Sequence, residues 1–74
     1  MVTKGEYRVG IDFNPSGDGN VNRIKEQAAA LIDTIADLDD KGDPEFARCK
    51  ALGMTAVEEG AMWGVKAATK KPMG

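Results

Sequence analysis

Histidine is absent from this chain, and cysteine occurs once, at Cys49. Without His the usual general base near neutral pH is missing. One thiol can neither close an internal disulfide nor build a structural zinc site. In its helical context Cys49 reads as a buried, reduced thiol. No apolar run approaches the about 18 residues of a membrane span, and the N-terminus has no apolar signal-peptide core. A soluble, cytoplasmic protein with no membrane partner is expected. The net charge of −2 lacks the basic excess that phosphate neutralisation requires, so a DNA or RNA polymer is not the expected partner.

What is present is short. At 74 residues the chain makes one domain, whose core is marginal alone. With disulfides and metal excluded, oligomerisation is the remaining source of stability. The stretch from Pro44 to Lys71 points the same way. It reads as one helix of about 27 residues, roughly 40 Å long. Phe46, Cys49, Gly53, Ala56, Gly60, Trp63 and Ala67 form one apolar stripe along it. Ala47, Ala51, Met54, Val57, Ala61, Val65 and Ala68 form a second. A helix in a small monomer needs one such stripe.

Upstream, Met1–Gly5 reads as a frayed start. Tyr7, Val9, Ile11 and Phe13 alternate as in a half-buried strand over 6–13, which either pairs with another chain or lies on the helices as an extended arm. Asn14-Pro-Ser-Gly-Asp-Gly-Asn20 is a turn, with Asp18 or Asn20 as helix cap. The first long helix is expected over 20–39, with Val21, Ile24, Ala28, Leu31, Ile35 and Leu38 on its seam and Ala29, Ile32 and Ala36 widening it. Gly42, Asp43 and Pro44 then close one helix and start the next, over 44–71, as an antiparallel neighbour. The Pro72-Met-Gly74 tail stops it. The expected fold is mainly α: an oligomeric antiparallel helical hairpin, with a short N-terminal strand or arm.

If Leu38 packs near Phe46, Leu31 falls near Gly53, Ile24 near Gly60 and Val21 near Trp63. Gly64 then lies off the seam, facing another protomer or a ligand. The turn end collects Asp33, Asp37, Asp39, Asp40, Asp43 and Glu45; the open end collects Arg23, Lys25, Lys66, Lys70 and Lys71. A helix N-terminus beside the 14–19 turn favours an anion there, and otherwise these lysines are a solvated, soluble face. Phe13 adjoins that turn, where its ring is placed to stack on a base while Lys25 and Arg23 hold phosphates. Ser16 and Cys49 have no adjacent base, the Asp run lacks EF-hand spacing, and Gly17-Asp-Gly19 is no P-loop. An enzyme is not expected, and no cofactor is implied.

Asp12-Phe-Asn-Pro-Ser-Gly, then Val21-x-x-Ile-Lys25, a short turn and Glu58-Glu-Gly-Ala-Met-Trp-Gly-Val-Lys-Ala-Ala-Thr69 resemble a phage family over roughly residues 7–71. It comprises the anti-CBASS nucleotide sponges and the related Thoeris anti-defence proteins, which counter bacterial signalling immunity. The resemblance implies hairpins assembled into dimers and commonly hexamers, in the cytoplasm of an infected host. It implies that cyclic di- and trinucleotides or cyclic ADP-ribose isomers are sequestered intact between protomers. It assigns base stacking to Phe13, or alternatively Tyr7, and phosphate contact to Lys25, with Asn14 and Arg23 nearby. A second pocket would use Lys66 and Thr69. The alternative is a structural or protein-binding hairpin whose second stripe receives a partner's helix.

Overall fold

Thr3-Lys-Gly-Glu6 closes a capping box. Thr3 Oγ1 accepts the Glu6 N–H at 3.0 Å, and Glu6 Oε1 accepts the Thr3 N–H at 2.9 Å. In the computed structural model, which describes residues 1–73, this box starts a six-residue helix, α1, over Lys4–Val9. Gly10 ends it in the left-handed conformation (φ 65°), its N–H returning to the Glu6 and Tyr7 carbonyls. The expected strand or extended arm over 6–13 is therefore corrected: no strand is present among the described residues. Within one chain that strand would have no ladder partner, whereas a capped turn of helix satisfies its own backbone. The alternating residues do not share a face either. Val9 and Ile11 are half-buried, while Tyr7 and Phe13 are 79% and 72% exposed.

Two long helices follow, α2 over Gly19–Ala36 and α3 over Pro44–Thr69. Asp18 caps α2 by accepting the Asn20 N–H at 2.7 Å, and Asp43 caps α3 by accepting the Glu45 N–H at 2.8 Å. α2 stops short of residue 39. Asp39 and Asp40 accept the Lys41 and Gly42 N–H groups instead of continuing the helix, and Lys41 and Gly42 both take positive φ. α3 stops at Thr69 rather than 71, because Lys71 precedes Pro72 and is biased to extended backbone; Lys70 is already extended. Of the tail, Gly74 lies outside the described residues.

α1 runs back along α2. Gly5 sits on the α2 backbone, where a Cβ would fall 2.9 Å from Ala29 Cα and closer still to the Ala29 carbonyl. The Gly5 N–H donates to Asp33 Oδ1 at 2.7 Å. Because α2 carries α1 as well as α3, its buried face turns away from the simple two-helix seam. Val21, Ala28, Ala29 and Ile32 are buried, Ile32 completely, while Leu31 and Leu38 are exposed. The register shifts with it. Gly53 meets Ile35 rather than Leu31, and Gly64, not Gly60, meets Ile24, at 3.4 Å from a built Cβ.

The two stripes of α3 thereby exchange roles. Met54 and Ala61 are buried and Val57, Val65 and Ala68 half-buried, so the second stripe faces α2. Phe46, Cys49, Ala56, Gly60, Trp63 and Ala67 of the first are exposed. The result is a plate measuring 51 × 28 × 12 Å. Its radius of gyration is 14.1 Å, against about 11 Å for a compact chain of this length.

Candidate ligand-binding site

The site is built on Lys25, whose side chain is driven inward by its position on α2 beneath the 10–18 segment. It is 6% exposed. Its ammonium donates to the Gly10 carbonyl at 2.9 Å and to the Phe13 carbonyl. The Phe13 ring covers it at 5.4 Å from centroid to Nζ. No carboxylate lies within ion-pair distance of Lys25 among the described residues. Carbonyl dipoles and an aromatic face surround the ammonium, and a third N–H remains for an acceptor.

Asn14 organises the loop. Its amide donates to the Asp18 carbonyl at 2.9 Å and to Asn22 Oδ1 at 3.0 Å, while its Oδ1 accepts from Ser16 Oγ at 2.7 Å. Ser16 Oγ in turn accepts the Asp18 N–H at 3.1 Å. These bonds tie the turn to the α2 N-terminus and fix the backbone that carries Phe13. The ring itself projects into solvent beside a cavity of about 280 Å³ that also reaches Asn14, Ser16, Lys25, Val65 and Thr69.

Four of the seven residues expected at the site, Phe13, Asn14, Lys25 and Thr69, thus line one cavity. Thr69 Oγ1 donates to the Val65 carbonyl at 2.8 Å, leaving its lone pairs available. Tyr7 does not line that cavity; it shares a shallow depression with Phe13, Glu6, Ile11 and Asp12. Arg23 is exposed on the early turns of α2. Lys66 is separated from Thr69: it lies over the Trp63 ring, 5.0 Å to the centroid, beside Glu59 and Met62. Trp63, expected as a core or interface anchor, is 61% exposed in the single chain.

Sequence reasoning missed Arg8. Its Nε donates to Glu58 Oε1 at 2.7 Å and its guanidinium reaches Thr55 Oγ1 at 3.3 Å, latching α1 to α3. A second cavity, of about 210 Å³, lies under this latch and shares Lys25 and Val65 with the first. The Thr3-x-x-Glu6 box was the available signal, because a helix over Lys4–Val9 turns Arg8 towards α3. At the opposite end the Arg48 guanidinium holds the Glu45 carboxyl below the usual carboxylate range, but both groups are fully solvated.

Fold and cavity together define a small α-hairpin with an N-terminal helical arm and an aromatic-capped cationic pocket. The model of the Acb2/Tad1 hairpin domain matches residues 6–69, and the chain belongs to that family of anti-CBASS and Thoeris anti-defence proteins. No curated protein and no solved structure gives a significant match.

Proposed function

We propose that the protein is a phage-type anti-defence sponge that binds cyclic nucleotide immune signals and holds them uncleaved in pockets between protomers. The candidate ligands are cyclic di- and trinucleotides and cyclic ADP-ribose isomers. The observation that carries this reading is the exposed Phe13 ring above the buried Lys25 ammonium, in a chain of this family. A purine stacks on the ring, and its phosphate meets the Lys25 charge and the Thr69 hydroxyl. Sequestration needs no general base, and the chain has no His, the usual one near neutral pH.

The site is completed by a second protomer. A cavity of about 280 Å³ falls just below the roughly 300 Å³ at which enclosing small-molecule sites begin. The accessible surface is 5464 Å², against about 4,400 Å² for a folded monomer of this mass. The excess of about 1,000 Å² matches the roughly 800 Å² that each partner buries in a stable interface. The uncovered outer face of α3 also fits a structural hairpin that receives a foreign helix, as the second reading.

Phe13→Ala separates the two. Its side chain is exposed, so truncation leaves the fold and the assembly intact while cyclic-nucleotide affinity, read by calorimetry, falls at least tenfold. Unchanged affinity would remove Phe13 from the site. A protein that binds no cyclic nucleotide and is monomeric without a partner would support the second reading.

A further inference from the structure

Arg8 is a guanidinium held by less than it can bind. Its Nε donates to Glu58 Oε1 at 2.7 Å and its Nη2 to Thr55 Oγ1 at 3.3 Å. Most of its five N–H donors therefore remain for another acceptor. The carboxylate is met through one nitrogen, not through the two-pronged fork that makes an Arg–carboxylate pair strong. The cavity of about 210 Å³ under this pair is lined by Arg8, Val9, Lys25, Glu58, Met62 and Val65. We propose that this inner cavity is a second compartment of the ligand site. Arg8 leaves Glu58 there to hold a second phosphate of the same ligand whose first phosphate meets Lys25. The proposal rests on the sponge reading and adds to it a residue and the charge exchange that admits the ligand.

The two cavities are neighbours. Lys25 and Val65 line both, so the buried lysine stands between the compartment capped by Phe13 and the one closed by Arg8. At about 280 and about 210 Å³, neither reaches the roughly 300 Å³ at which small-molecule sites begin, and the two together do. A base stacked on Phe13, with its phosphate at Lys25, occupies the outer compartment. The next phosphate of the ligand then has the inner one beside it. Of the charged groups on the inner walls, Arg8 and Lys25 are cations and Glu58 is the anion. Glu59, the next carboxylate on α3, lines the depression beside Trp63 and Lys66 instead.

The exchange keeps the guanidinium paired throughout. The Arg8 side chain is 23% exposed and that of Glu58 33%, so the carboxylate turns to water while the more buried cation takes the phosphate. A part-buried charge is never left alone, which is the costly state. A phosphate also offers oxygens for two parallel N–H bonds, where Glu58 accepts one from Arg8. Without ligand, Glu58 neutralises Arg8 and ties α1 to α3, so the inner compartment stays closed. The same pair is thus a fastener in the free chain and a competitor for the ligand's charge.

Two substitutions in the full chain test this, because their expected effects have opposite signs. Affinity is read by calorimetry for cyclic di-AMP, cyclic di-GMP, cyclic tri-AMP and a cyclic ADP-ribose isomer, each of which carries more than one phosphate. Arg8→Gln should weaken the tightest of the four about tenfold, through loss of a charged hydrogen bond. Glu58→Gln removes the competing anion and should tighten it about threefold. If the pair only fastened α1, both substitutions would weaken binding together. Circular dichroism at the temperature of the titration checks that each variant is folded. Parallel weakening, or unchanged affinity in Arg8→Gln, overturns the exchange and leaves the sponge reading standing. A wild-type protein that binds none of the four overturns both.

Discussion

At the open end of the hairpin, Lys25 and Asn14 bind backbone groups of the 10–18 segment; further along α2, Asp33 binds the start of α1, and Arg8 ties α1 to α3. At the turn end Leu38, Phe46 and Leu52 remain exposed. One lysine, Lys50, reaches the Leu38 carbonyl there, from a partly exposed position. The first end has its polar groups paired and a cationic pocket preformed; the second has apolar surface with nothing on it. Polar pairing within the chain fixes a backbone without help from another molecule, and exposed apolar area demands a cover. One end is thus held by its own polar bonds, and the other leaves apolar area uncovered.

The sharpest contrast is between two lysines that make the same kind of bond. Lys25→Ala strands the Phe13 carbonyl, while the Gly10 carbonyl keeps the Phe13 N–H, and should cost about 2 kcal/mol, read by urea unfolding of dilute protein. Lys50→Ala, in a solvated setting, should cost less than about 0.5 kcal/mol. Equal losses would break the distinction between the two ends. Next comes a pair of glycines. Gly5→Ala pushes α1 off Ala29 and should cost about 2 kcal/mol, with loss of amide protection in Lys4–Val9. Gly60→Ala has room within the chain and should stabilise the dilute monomer by up to about 1 kcal/mol through helix propensity.

A smaller effect is expected at the latch. Arg8→Gln should cost about 1 kcal/mol, less at high salt, because the pair is only partly buried. The Glu45–Arg48 pair at the turn end should matter least. Arg48 lowers the folded-state pKa of Glu45, so its contribution is present at neutral pH and is lost as pH falls through that lowered value. With both groups fully exposed, Glu45→Gln should leave the acid-unfolding midpoint unchanged in dilute protein. A measurable shift would show that the turn end is more tightly held than its geometry indicates.

The two long helices were legible because their signals are local. Asp18, Asp43 and Pro44 cap them, and the apolar spacing marks their length. The arm was not, because its signals conflict. Tyr7, Val9, Ile11 and Phe13 alternate as a strand would, while Thr3, Glu6 and Gly10 bracket a helix, and the caps prevail where no partner strand exists. That one misreading propagated. Once α1 occupies one side of α2, the α2–α3 register moves, Gly64 enters the seam and Trp63 leaves it. The turn places Phe13 near Lys25 and Arg23 from the residues alone, and the family resemblance adds Asn14. Phe13, Asn14 and Lys25 line one cavity despite the change from strand to helix, and Arg23 does not join them. What the residues alone did not reveal is that Lys25 and Asn14 are bonded to their own backbone and that Thr69 joins them from the end of α3.

The central claim is that this chain holds a cyclic nucleotide and releases it intact. The most direct test incubates the protein with a panel of cyclic di- and trinucleotides and cyclic ADP-ribose isomers, removes unbound ligand, denatures by heat and identifies what is released by mass spectrometry. The expected result is unaltered ligand from the wild type and little from Phe13→Ala. Cleaved ligand, or no ligand retained from any member of the panel, would contradict it.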